Sequence, residues 1–229
     1  MATTDVSICN AALAMIGLPV SISSLDDATV QGRACNAFYT QCLNTVLAEH
    51  AWSFATVTVL LNLLASPNQL WAYAYQAPGD MVQALAVYEN DAQGDVTGTY
   101  ASNYPLQGTM NGYQAMLLPG LSNVTQQDFS IENDGSGGSV IYTNQQNAML
   151  KYVQYQKNAS GFPPMFVETF TCMLASKLAG ALIKGDVGVT AMKTVLQAYD
   201  FWLGKAKEKD GGNRVDHPVH VPLSIAIRA

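Results

Sequence analysis

The sequence predicts an α+β protein: a discontinuous antiparallel helical bundle built from the two ends of the chain, an inserted β-rich domain, and an extended carboxy-terminal arm. Three observations predict it. Apolar residues recur at helical spacing in 1–52 and 162–210, and runs rich in Val, Thr and Tyr bounded by turn residues fill much of 53–161. Residues 211–229 have no helical period and end in strict alternation.

Thr4 or Asp5 caps a first helix in which Ile8, Ala11, Ala12, Met15 and Ile16 share a stripe, ended by Gly17 and Pro19. Ser24 followed by Asp27 resembles a capping box for a second helix over 28–50, with a stripe of Val30, Ala34, Ala37, Phe38, Cys42, Val46 and Glu49 and a length of about 33 Å. Strands are expected at 53–64, 70–76, 81–88, 138–143 and 147–156, with a turn at Pro78, Gly79 and Asp80 and a Gly-rich hairpin loop at 133–138. The 90–138 stretch, scattered with Gly, Asn and Gln, reads as irregular or as an elaborated hairpin. Pro163 and Pro164 open a third helix carrying Phe166, Phe170, Met173, Leu174, Leu178, Ala181 and Leu182, which Gly185 stops. Met192, Val195, Leu196, Tyr199, Trp202, Leu203 and Ala206 trace a fourth helix; Lys205, Lys207 and Lys209 suit its negative end, and Asp210, Gly211 and Gly212 break it. In the arm, Val221, Leu223, Ile225 and Ile227 alternate with Pro222, Ser224, Ala226 and Arg228. An extended arm of that length reaches about 60 Å at about 3.3 Å per residue, so it either pairs with its own sheet or leaves its subunit.

Composition narrows the function. Of 229 residues, 49% are hydrophobic and only 12% charged, about half the usual charged share, so something other than charge must cover the surface. A net charge of −6 disfavours a protein that grips phosphate backbones. The apolar run 57–65, interrupted by Asn62, falls short of a membrane span, so no membrane partner is expected. No signal peptide is legible at the start, and folding in the cytosol is expected. Cys9, Cys35, Cys42 and Cys172 form no CxxC pair and read as free core thiols.

No motif announces catalysis or a cofactor. Asp26 and Asp27 are adjacent, so they do not face each other and read as helix-start residues. His217 and His220, beside Asp216, imitate a metal pair without a third ligand. His50 suits a helix carboxyl end. The 134–138 run lacks the GK[ST] of a phosphate loop, and GxSxG, HExxH and GxGxxG are absent. Asn123 and Asn158 begin glycosylation triplets that have meaning only on secretion.

One set of segments ties these parts together: a first helix ending Ala14-Met15-Ile16-Gly17, a long helix finishing His50-Ala51-Trp52-Ser53-Phe54-Ala55, then Tyr75-Gln76-Ala77-Pro78-Gly79-Asp80. They are followed by Phe162-Pro163-Pro164-Met165-Phe166, by Leu174-Ala175-Ser176-Lys177-Leu178-Ala179 and by Ala206-Lys207 near the end of the last helix. In order and spacing these resemble the tail tubular protein A family of phage head-to-tail adaptors, over most of the chain outside 90–138. The resemblance implies a structural virion protein of the viral tail, made in the host cytoplasm and placed at the head-tail junction. It implies a ring, usually of twelve copies, that binds the portal protein on one face and the tail nozzle protein on the other, with a tail fibre or spike as a further neighbour. Genomic DNA would pass through the hole during ejection without specific binding. No catalytic residue, cofactor or metal is implied. Trp52, Phe54, Pro78 and Asp80 match as fold-determining residues. Portal docking would fall on the arm, with Arg214, Val215, Pro218, Val219, Val221, Leu223, Ile225 and Ile227. The long 90–138 segment departs from the family's pattern.

Physical reasoning from composition runs the same way. Interface cores are depleted of charge, rings need two complementary faces per subunit, and an acidic wall keeps a passing duplex from sticking. The rival readings are another tail-completion or minor capsid component, and a small-molecule enzyme whose pocket is assembled from scattered residues.

Overall fold

Local chemistry at Thr4 starts the first helix. In the computed structural model, which describes residues 3–20, 22–64, 68, 70–89, 126–134 and 137–212, helix α1 spans Asp5–Met15. The Thr4 hydroxyl accepts from the Ser7 N–H (3.1 Å) while the Ser7 hydroxyl accepts from the Thr4 N–H (2.9 Å), a reciprocal cap. At the other end Gly17 has φ +74°, and the bonds Leu18 N–H to Leu13 C=O and Gly17 N–H to Ala14 C=O close a Schellman motif. Its buried face is Ile8, Cys9, Ala12 and Leu13, with Ile16 just beyond; Ala11 and Met15, expected in the stripe, are exposed. The connector is clamped by the Asn10 amide, which donates to the Ile22 carbonyl (2.9 Å) and accepts from the Ile22 N–H (3.3 Å).

Helix α2 spans Val30–Ala48 and is capped by Thr29, whose hydroxyl accepts from the Gly32 N–H (3.0 Å). The expected cap at Ser24 is corrected. Asp27 instead turns its carboxylate back to accept from the N–H groups of Ser23 (2.7 Å) and Ser24 (3.3 Å), which holds 23–27 as a turn ahead of the helix and lowers the Asp27 pKa. A Cβ on Gly32 would stand 2.6 Å from the Asp27 carbonyl oxygen, so this close approach requires glycine. The buried face is Gly32, Cys35, Tyr39, Cys42, Leu43, Val46 and Leu47. It agrees with the predicted stripe at Cys42 and Val46 but is rotated by one residue before them. Tyr39 decides this, its hydroxyl reaching the Asp5 carboxylate (2.9 Å) and its ring meeting Phe170 edge-on at 5.0 Å.

The predicted strand at 53–64 is two strands. Residues 53–55 are a turn, β1 is Thr56–Leu60, and after Leu61 the chain enters β2, Asn62–Leu64. Then come β3 (Tyr73–Gln76), β4 (Met81–Glu89), β5 (Gln126–Gln127), β6 (Phe129–Asn133), β7 (Ser139–Thr143) and β8 (Ala148–Gln154). They form two four-stranded sheets, β1-β8-β4-β5 and β2-β3-β7-β6. In the second sheet Leu63, Tyr75, Ile141 and Ile131 lie in one cross-strand row, the inner two buried and the outer two exposed. The β6–β7 hairpin closes where the Asp134 carboxylate accepts from the Gly138 N–H (2.8 Å). Within the segment expected to be irregular, the sheets thus gain β5 and β6; residues 90–125 lie outside the described residues.

A short 3₁₀ turn, Ala159–Gly161, leads to helix α3, Pro164–Leu182, and a two-residue link to helix α4, Gly185–Gly211. Gly185, expected to stop the third helix, has φ +74° and opens the fourth. A Cβ on Gly188 would overlap the Ile183 carbonyl oxygen, so the first turn of α4 packs directly on the link. Helix α3 packs against α1, α2 and α4. Among the described residues it is the one helix long and apolar enough to cross a membrane, a correction to the run-length expectation. Burial of ten of its side chains, Phe166 to Ala179, accounts for that composition. Its buried hydroxyls bond back to helix carbonyls, Thr169 to Met165 (2.9 Å) and Ser176 to Met173 (2.7 Å).

The described residues divide into two compact units. One is drawn from Met1–Val57, Asp80–Ala84 and Tyr152–Ala229 and holds the four helices; the other is drawn from Thr58–Gly79 and Leu85–Lys151.

Candidate functional site

The sequence-predicted residues fall into three places. Trp52 is 1% exposed, and its indole N–H donates to the Val46 carbonyl (2.8 Å), turning the chain sharply out of α2. Phe166 lies edge-on to three rings, with centroids 5.1 Å from Trp52, 4.8 Å from Phe54 and 5.0 Å from Phe162. Such pairs each add about 0.5–1.5 kcal/mol beyond area burial. Asp80 accepts from the Tyr152 hydroxyl (3.0 Å) and the Gln154 amide (2.6 Å), while its own carbonyl accepts from the Tyr155 N–H (2.8 Å). Burial first, then this bond and the Asp80 charge, push the Tyr152 phenol up to about 12. Pro78 is half-buried beside Ala77, whose N–H pairs with the Ser139 carbonyl. The arm residues Arg214, Val215, Pro218, Val219, Val221, Leu223, Ile225 and Ile227 lie outside the described residues, as do Asp216, His217 and His220.

Asp210, expected with Gly211 and Gly212 to break the last helix, instead anchors it. Asp210, 5% exposed in the last turn of α4, accepts from the Ser53 N–H (3.0 Å), the Ser53 hydroxyl (2.5 Å) and His50 Nε2 (3.1 Å). It ties the end of α4 to the exit of α2, and the His50 ring stands edge-on to Trp52 at 5.0 Å. The carboxylate sits between serine and histidine, so the hydroxyl meets the acid rather than the imidazole and the trio lacks the order of a hydrolytic triad. A legible signal existed: an acid in a last turn opposes the helix dipole and needs another partner to justify it.

Immediately beyond this tie is a cleft of about 500 Å³ on the same helix. Its apolar wall is Phe201, Trp202 and Met165, and Lys205, Glu208 and Lys209 edge it. Phe201 is 59% exposed and meets Trp202 edge-on at 5.3 Å. Lys205 pairs with Glu208 in an exposed bridge (3.1 Å), a contact that contributes little. A second, smaller groove of about 310 Å³ lies between α1 and α3, with Met15 and Val167 on its wall.

Cys9, Cys35, Cys42 and Cys172 are free and buried. Burial pushes the Cys42 and Cys172 thiols up to about 11, away from the thiolate that nucleophilic chemistry needs, whereas a hydrogen bond with Cys9 lowers the pKa of Cys35, which is itself buried. Among the described residues no three His, Cys, Asp or Glu side chains gather as a metal site requires. Compared with protein-family models and with curated proteins, the sequence matches none of them.

Proposed function

We propose that this protein is a non-catalytic ring subunit of a phage head-to-tail adaptor, joining the portal protein to the tail nozzle protein and forming part of the wall of the DNA channel. The reading begins from the family resemblance. It is supported by one observation above others: the segments that carry the resemblance at 50–55 and 162–166 pack together as a single aromatic cluster around Phe166. Sequence-distant segments that meet in one core are the parts a family would keep in common order.

The surface is of a kind that suits a ring. With 12% of residues charged, the described part exposes Val20, Val30, Val187 and Phe201, each at least 59% accessible. Flank-to-flank burial in a ring would cover such positions, because closed rings repeat a heterologous contact between two different faces. The mechanism is assembly: twelve copies form the collar, the segment after Gly211 adds a strand or lays its apolar edge against the portal, and the acidic chain lines a conduit that does not retain DNA. The protein acts in the virion at the head-tail junction after folding in the host cytoplasm.

Electron microscopy of the protein mixed with its portal tests this. A ring collinear with the portal channel is expected; binding off that axis points to another tail-completion or minor capsid role, and turnover of a small molecule by isolated subunits points to the enzyme rival.

A further inference from the structure

The α4 cleft has an occupant close at hand. Gly212, the last described residue, forms part of the cleft wall, so the chain beyond it starts at the site. In that chain Val221, Leu223, Ile225 and Ile227 alternate with Pro222, Ser224, Ala226 and Arg228, which in extended backbone puts the four large apolar groups on one side. Such a side needs apolar cover, and Phe201, Trp202 and Met165 offer it. Both signs of charge are available on each side: Arg214 and Asp216 follow Gly212 in the sequence, and Glu208 and Lys209 edge the cleft. Lys209 has no ion pair among the described residues, and Asp216 lies four residues beyond Gly212, within about 14 Å of extended chain.

We infer that in the free subunit the cleft binds residues 213–229 of the same chain, storing the arm until the portal displaces it. This rests on the adaptor reading, which gives the arm a second destination. Tethering makes the contact effective: a short linker raises the local concentration of a segment to about the millimolar range, so a weak apolar contact suffices and a stronger partner can still displace it. A stored arm also keeps a half-apolar strand from pairing with arms of other free subunits.

Hydrogen exchange on the full-length free subunit tests the inference. Amides of 219–227 should exchange about tenfold more slowly in the wild type than in Phe201→Glu, a change at an exposed position outside the core. In the reverse direction, the pair Ile225→Asp and Ile227→Asp should raise hydroxyl-radical labelling of Phe201, Trp202 and Met165. Protection that survives Phe201→Glu, or that is absent in the wild type, overturns the inference. So does protection that disappears on dilution, which would assign the cleft to a second copy. These readouts use no portal, so they fail or succeed separately from the microscopy of the ring.

Discussion

Helices α3 and α4 lie side by side as one hairpin, yet they bury themselves in opposite ways. Ten of the nineteen residues of α3 are buried, against five of the twenty-seven of α4, namely Gly188, Val195, Tyr199, Ala206 and Asp210. The first is surrounded by helices α1, α2 and α4, and the second keeps Val187, Val189 and Phe201 in the open. What differs is therefore the use of apolar residues: in α3 they make the core, and in α4 a large part of them remains for something else to cover. Substitutions at equivalent chemistry in the two helices should accordingly differ in kind.

The sharpest contrast is between two phenylalanines. Phe166→Ala removes the ring on which Trp52, Phe54 and Phe162 all converge and should cost about 3–5 kcal/mol in urea unfolding. Phe201→Ala should change stability by about 0.5 kcal/mol or less, as surface replacements do. Equal losses would mean that α4 is as enclosed as α3 and would remove the argument for a docking face.

Asp210 sharpens the comparison from the other side, because it anchors the open helix at one point. Asp210→Ala strands the Ser53 N–H and hydroxyl and the His50 ring, and a loss of about 2–3 kcal/mol is expected. Asp210→Asn, which keeps an acceptor oxygen, should recover part of that loss. A neutral alanine variant would show that the end of α4 is held by apolar contact alone. At the start of the same helix Gly188→Ala sets two effects against each other. Helix propensity favours alanine by about 1 kcal/mol, whereas the new Cβ meets the Ile183 carbonyl oxygen. A net loss of about 1–2 kcal/mol in thermal unfolding is expected, since backbone cannot yield as a flexible side chain does.

The same contrast explains what could be read from the sequence. Helix α3 was legible at its start and in most of its stripe, since Pro163 and Pro164 fix the start and Phe166, Phe170, Leu174 and Leu178 are all buried, whereas Met173 and Leu182 are half-buried, Ala181 is exposed and Gly185 opens the next helix. In α4 the period was visible, but Trp202 and Leu203 are only half-buried, because period reports which face is apolar and not whether anything covers it. For α2, Phe38 and Tyr39 are adjacent and equally aromatic; only the distant Asp5 and Phe170 select Tyr39 as the inward one. The split at Leu61 and the strands β5 and β6 depend on pairing partners far along the chain, which local composition does not encode. Asp210 was hidden in a terminal Asp-Gly-Gly run that also reads as a breaker.

The smallest expected effect lies at Tyr199, on the buried side of α4. Its hydroxyl is buried with no hydrogen-bond partner among the described residues, and burial, followed by the negative charges of Glu49 and Asp200, pushes its pKa up to about 12. A phenol whose folded pKa exceeds its unfolded value of about 10 stabilises the fold fully below pH 10 and loses that contribution as pH rises towards 12. Tyr199→Phe removes an unpaired polar atom from the interior, so at neutral pH it should leave stability unchanged or raise it by up to about 1 kcal/mol. Between pH 10 and 12 the variant should lose stability less steeply than the wild type, with Tyr39, Tyr152 and the buried Cys42 and Cys172 thiols, all raised by burial, contributing to the slope that remains. A clear loss at neutral pH would mean that the hydroxyl has a partner in solution, and the inner face of α4 would then be polar where its outer cleft is apolar.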